Sequence, residues 1–230
     1  MENDSRQMLK VNFLTHNWLA HKINNESFKN FSPLIKGLTI DLGCGSSPYK
    51  ADILKSADQY IGVDWENSLH FNKNIDIAAD LTQPFPFENS FADTALAFQT
   101  MEHIPEPNFF LSECMRILKP EGRLILTVPF MWHVHEAPHD YFRFTRHGLK
   151  HLLAKNKFMD IKIKETTGFW QMWILKFNYQ TVRYAWGPFK LILIPIWFIG
   201  QVFAPLLDKI HKAPQETASY IAIARKPPCP

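Results

Sequence analysis

The chain has 230 residues, 46% of them apolar, and a formal net charge of +3 at pH 7; this suits one α/β domain with an elaboration and a sizeable core. So slight a positive balance, with no basic run, excludes an electrostatic case for nucleic acid as a partner. Three scattered cysteines, Cys44, Cys114 and Cys229, fit neither a metal spacing nor a disulfide framework. Together with an N-terminus that lacks signal-peptide order, they predict a reducing cytoplasm.

In chain order, Gln7 to Ala20 reads as a helix, with Leu14 and Trp18 one turn apart, and the polar stretch Asn24–Pro33 reads as a connection. Strands are predicted at Leu38–Asp41, Tyr60–Asp64, Asn74–Ala79, Thr94–Phe98, Arg123–Val128, Phe158–Glu165 and Tyr220–Arg225. The first five are short apolar runs of the kind that a sheet covered on both faces requires. Helical patterns between most of them, clearest at Asn108–Leu118 and Arg146–Asn156 with Thr145 as N-cap, give the alternation of parallel βαβ units.

The first strand carries the sharpest signal. Thr39-Ile40-Asp41-Leu42-Gly43-Cys44-Gly45-Ser46-Ser47 is an apolar run that ends in an acid and passes at once into a glycine turn, where backbone can approach a ligand closely. A fixed negative charge at Asp41 disfavours a pyrophosphate and suits a cationic, hydroxyl-rich ligand. S-adenosyl-L-methionine (SAM), with its ammonium, sulfonium and ribose, fits. Asp64, closing the second strand about twenty residues on, is placed to grip ribose hydroxyls. Dinucleotide chemistry fits poorly, because Gly43-Cys44-Gly45-Ser46-Ser47-Pro48 lacks the third glycine at the required spacing.

With Asp80-Leu81, Glu102-His103-Ile104-Pro105 and Leu118-Lys119-Pro120-Glu121-Gly122, these segments resemble the class I SAM-dependent methyltransferases, most closely the type 11 branch, over roughly residues 38 to 156. Ser47 departs from a pattern that often has a third glycine. The resemblance implies a Rossmann-like sheet of seven mostly parallel strands, helices on both faces, with the last strand antiparallel; the composition adds an apolar helical insertion before it. The chain is expected to divide into an N-terminal cap (1–36), a SAM-binding core (37–168), an insertion (169–212) and a final strand with tail (213–230). The cap either covers the substrate side or packs on the sheet edge. Asp41, Gly43, Cys44 and Gly45 would hold the methionine end of SAM, Asp64 the ribose, Trp65, Asp80 and Leu81 the adenine, and Phe98 and Gln99 would face the sulfonium.

Methyl transfer is an in-line displacement, and a hydroxyl acceptor needs a base as well, for which histidine is suited. His103, just after the fourth strand, is one candidate. His135, His139 and Asp140, in the loop after the fifth strand, are offered to the acceptor; Asp140 also reads as the partner of Arg143 or Arg146 in a salt-bridged lid, and the two readings are compatible. The segment from His139 to Thr145 resembles one in type 11 relatives associated with polysaccharide and glycolipid modification. His133 and His135 match no familiar zinc spacing, so no metal is expected.

From Phe169 to Leu207 the composition turns apolar and aromatic. Trp170, Trp173 and Phe177 recur at three- and four-residue steps, Tyr184 follows two turns on, and an uncharged run lies between Lys190 and Asp208. Pro195, Gly200 and Pro205 are expected to break that run into a bent wedge. Monotopic attachment at the inner face of the cell membrane through residues 170–207 is predicted; the alternative is burial against the core or in a homodimer. The functional expectation is O-methylation of a lipid-linked or amphiphilic acceptor. The alternatives are a soluble small-molecule methyltransferase and a non-catalytic SAM-binding adaptor.

Overall fold

The structure, a computed structural model, describes residues 12–66 and 75–229. Its seven strands are β1 (Leu38–Leu42), β2 (Gln59–Asp64), β3 (Ile77–Ala78), β4 (Ala92–Phe98), β5 (Leu118–Pro129), β6 (Met159–Glu165) and β7 (Ser219–Arg225). They form one sheet in the order β3-β2-β1-β4-β5-β7-β6. The pairings from β3 through to β5 are parallel, whereas β7 runs antiparallel to both of its neighbours.

Successive side chains of a strand point to opposite faces, and the central strands are apolar on both. Ile40, Leu42, Ala95, Ala97, Leu124 and Leu126 pack against Phe110, Leu111 and Cys114 of α3 (Pro107–Ile117) and Leu149 and Leu153 of α4 (Arg146–Lys155). Leu96, Ile125 and Ile221 face the other way, onto Phe28 and Phe31 of α1 (Trp18–Phe31) and Ile53 of α2 (Lys50–Ile53). Thr145 caps α4 as expected, its Oγ1 accepting from Gly148 N at 3.0 Å. The chain leaves β1 toward β2 on one side and continues at β4 on the other, which opens a crevice at the carboxyl ends of these strands.

Three expectations about local structure need correction. The first helix is α1, from Trp18 to Phe31, so the stretch read as a connection is helical, and residues 7–11 of the expected helix lie outside the described part. Leu19, Ile23, Phe28 and Phe31 are its buried positions, and the polar residues between them mark a second, cavity-facing side. The third strand is only Ile77–Ala78 rather than Asn74–Ala79, since just two residues pair with β2; Asn74 is outside the described residues. The run through Pro195, Gly200 and Pro205 is one unbroken helix, α6 (Lys190–Ile210). Each proline gives up one backbone donor and the helix continues. Gly200 is a close-approach residue: a Cβ there would stand 2.6 Å from Ile174 Cδ1.

That contact joins α6 to α5 (Phe169–Thr181) in a helical hairpin. Asp208, near the end of α6, accepts hydrogen bonds from the backbone nitrogens of Gly168, Trp170 and Gln171, satisfying the free donors at the start of α5. Met172 and Leu175 cluster with Leu19 and Ile23 of α1. The segment Gly187–Ile210 is long and apolar enough to cross a membrane by length and composition, yet only 17% of its most apolar window is buried. Leu191, Ile192, Ile199, Phe203 and Ile210 face outward. The strands on either side of the hairpin, β6 and β7, pair with each other, so a single crossing by α6 would tear β7 from the sheet.

Candidate active site

A cavity of about 970 Å³ opens at the carboxyl ends of β1, β2 and β4, beneath α1 and the loops that follow β4 and β5. It lies at the upper end of the roughly 300–1,000 Å³ of small-molecule sites, with room for two ligands side by side. Every residue expected to hold a cofactor lines it, as do His103, His135 and His139; Asp140 does not.

The glycine turn after β1 forms the floor. Gly43 has φ +76°, and a Cβ on it would meet Thr100 Oγ1 at 2.4 Å, whereas a Cβ on Gly45 would meet nothing within 4 Å. The first glycine is thus demanded by packing; the second leaves open space on the cavity side. Ser47 is itself left-handed, with φ 53°, the conformation a glycine would adopt without strain. Its hydroxyl compensates by sitting 3.2 Å from Tyr60 Oη, which also donates to Asp41 Oδ2 at 2.8 Å. Burial pushes Asp41 up to about 6, a rise that the Tyr60 hydrogen bond opposes and the charge of Asp64 reinforces. A buried carboxylate held this way is short of positive charge, and a ligand ammonium supplies it.

Asp64 is organised differently. Its Oδ2 accepts from Gly45 N at 2.5 Å and its Oδ1 from Trp65 N at 2.7 Å, so it ties the ends of β1 and β2 together. Each carboxylate oxygen has further lone-pair capacity for a hydroxyl. Cys44 is buried there, its thiol pushed up to about 11 by desolvation first of all, which makes it a packing group rather than a nucleophile. On the expected adenine side Leu81 is buried, Asp80 accepts from Thr82 N at 2.8 Å, and Trp65 stands edge-on to His139 at 5.7 Å. Phe98 packs on Phe31 of α1, and Gln99 is fastened to Thr127 through its backbone and side-chain nitrogens. These features fit SAM: a carboxylate for its ammonium, an acid for its ribose, an apolar slot for its base.

The opposite wall gathers side chains from two loops. His103 Nδ1 donates to His139 O at 2.7 Å, because a carbonyl can only accept; the lone pair therefore sits on Nε2. That nitrogen lies 3.9 Å from both Glu102 Oε1 and Glu136 Oε2, and the His135 ring is 5.1 Å away. Glu102 is fully buried, and neither of its carboxylate oxygens has a hydrogen-bond partner among the described residues. Desolvation pushes it up to about 8. Asp140 is turned away into the loop: Arg143 grips it through two 2.6 Å hydrogen bonds, and His135 N donates to it at 2.8 Å. Arg143, first of all, holds its carboxyl down at about 2. Of the two roles read for Asp140, the lid-organising one is what the contacts display, with Arg143 as partner; Arg146 pairs with Glu165 instead. His133 stacks near Trp132 and Tyr179, and its ring stands edge-on to that of His135 at 6.5 Å without lining the cavity.

Sequence reasoning missed Tyr60 as the partner of Asp41, Glu102 as a buried acid, and the α1 residues Asn24, Ser27 and Phe28 on the cavity wall. The polar-within-apolar pattern of Asn24 to Phe31 was the available signal for the last of these.

Residues 40–126 match the methyltransferase domain family known as Methyltransf_11. A probable S-adenosylmethionine-dependent methyltransferase of Mycolicibacterium smegmatis is 29% identical over 96 residues, 39% of this chain and 37% of that protein. A ubiquinone biosynthesis O-methyltransferase of Bradyrhizobium diazoefficiens is 29% identical over 97 residues, 38% of each. The aligned stretch thus spans well under half of these curated relatives. The crystal structure of a SAM-dependent methyltransferase from Archaeoglobus fulgidus superposes with a TM-score of 0.60 at 14% identity, covering 89% of this chain and 94% of that one. The fold is that of the class I SAM-dependent methyltransferases. The matched stretch is thus similar to the type 11 methyltransferase domain, and the fold around it is the one that SAM-dependent methyltransferases use.

Proposed function

We propose that the chain is an enzyme that transfers a methyl group from SAM to a hydroxyl of a lipid-linked or amphiphilic acceptor at a membrane surface. The observation that carries this is the two-walled cavity: buried Asp41 with Asp64 on one side, and a histidine–carboxylate cluster on the other. When bound, SAM supplies an electrophilic methyl on positively charged sulfur. Asp41 and Asp64 orient it, and the apolar contacts of Leu81 and Phe98 exclude water. His103, with its lone pair on Nε2, is the group that loosens the acceptor's proton. His135 and His139 position the acceptor, and Asp140 with Arg143 holds their loop in place.

The amphiphilic acceptor is supported by the hairpin. Its outward apolar residues belong to one face, which Phe13 extends through a 5.5 Å ring contact with Phe198. Apolar area of this extent on a soluble surface marks an interaction site. Lys190 precedes the run, and Lys209 follows Asp208 at its other end, which puts basic groups near both ends as suits an element lying in the headgroup layer. The relative named for ubiquinone biosynthesis is consistent with such an acceptor.

Labelled methyl transfer from SAM into a lipid extract tests the acceptor class, and flotation with phosphatidylcholine–phosphatidylglycerol vesicles tests attachment. Label in the lipid phase and co-flotation are expected. Label confined to water-soluble metabolites, with protein that stays at the bottom of the gradient, would overturn the amphiphilic acceptor. A stable dimer lacking vesicle affinity would assign the apolar face to a second copy.

A further inference from the structure

The expectation that no metal binds rested on the spacing of His133 and His135, which the structure makes irrelevant. His133 neighbours His135 ring to ring but is not one of the groups whose ligand atoms meet; those are Glu102, His103 and His135, drawn from the loops after β4 and β5. One ligand atom from each lies within 4.8 Å of the other two. We propose that these three side chains bind one divalent transition cation of the zinc type.

Each residue is prepared for that role. Glu102 has no exposed side-chain surface, and both of its oxygens lack hydrogen-bond partners among the described residues. A buried carboxylate left so is costly unless a cation meets it. His103 commits Nδ1–H to the His139 carbonyl, which fixes the ring and leaves Nε2 facing Glu102. For His135, Asp140 Oδ2 at 3.3 Å and Arg143 Nη2 at 3.4 Å both reach Nδ1. That edge of the ring belongs to the loop, and Nε2 is left for the cavity. Outer groups that orient ligating imidazoles in this way accompany metal sites generally.

Two imidazoles and one carboxylate suit a borderline cation rather than magnesium or calcium, which favour all-oxygen sets. Bond lengths of about 2.0–2.2 Å would draw the three groups in by roughly an ångström. Three protein ligands leave a coordination position open, and His103 and His135 direct it into the cavity. On the methyltransferase reading, that position would take the acceptor oxygen, whose proton leaves to water more readily once bound to a cation. The cation would then do by charge what the histidine alone does by basicity.

Titration of the purified full chain with Co²⁺, followed by visible absorption, tests this without reference to activity. The wild type is expected to take up one equivalent with d–d bands of a four- or five-coordinate site. Glu102→Gln and His135→Ala should each weaken uptake beyond the roughly 10–100-fold cost of losing an outer-shell partner. His151→Ala, on the exposed side of α4, should bind as wild type does. SAM titration of Glu102→Gln, expected to be unchanged, separates the failure of this site from failure of the SAM site. Absence of stoichiometric uptake, or undiminished uptake by Glu102→Gln and His135→Ala, would overturn the proposal.

Discussion

The two walls of the cavity are built by different means. The wall at β1 and β2 is made of chain segments close together in sequence: a glycine turn, two strand-end acids, and backbone amides held by the second of them, Asp64. The wall opposite is assembled from side chains of the β4 and β5 loops, brought together by hydrogen bonds between the loops, from His103 to the His139 carbonyl and from Tyr141 N to the Glu102 carbonyl. A local, backbone-made site tolerates sequence change around it. A site assembled from distant side chains can be re-aimed by altering one loop, which is where acceptor choice belongs.

The comparison predicts that the walls fail separately. The largest effect is expected from His103→Ala, which should lower turnover by about 10²–10⁴-fold and leave SAM affinity intact; steady-state kinetics alongside calorimetry checks both halves. Next comes Asp140→Ala, which strands Arg143 and releases the β5 loop. A loss of roughly 2–4 kcal/mol of stability is expected, read as a lower midpoint in urea, with SAM still bound by the folded protein.

How far each wall was legible follows from the same contrast. Asp41, Gly43, Gly45 and Asp64 were readable because their roles depend on order along the chain: strand, acid, turn. Glu102 was not, since nothing in Glu102-His103-Ile104-Pro105 reveals that the acid is buried and unpaired; that follows from packing under the β5 loop. Asp140 was only half legible: its pairing with Arg143 lay within reach of spacing, its orientation away from the cavity did not. α1 was misplaced because its cavity-facing side is polar, which imitates a loop. Gly200 looked like a helix breaker because sequence cannot show that Ile174 presses on it.

A pH series sharpens the description of the first wall. Asp41 in the free protein lies at about 6, above its ordinary value of 3.8, so SAM affinity should be flat above pH 6 and fall by up to tenfold per unit below it. The free protein responds in the opposite sense. A raised carboxyl contributes stability that is fully present below 3.8 and is lost as pH rises through 6, so SAM protection against heat should grow over that interval. The smallest effect belongs to Ser47→Gly. Relief of the left-handed backbone and loss of the contact with Tyr60 oppose each other, and a change within about 1 kcal/mol is expected, measured by chemical denaturation.

Calorimetric titration of the wild type and of Asp41→Asn with SAM tests the central claim most directly. Saturable one-to-one binding to the wild type is predicted, weakened by about 10–100-fold in the variant, as befits a lost charge-assisted hydrogen bond. No binding to the wild type, or equal binding by both proteins, would contradict the placement of the cofactor at the ends of β1 and β2.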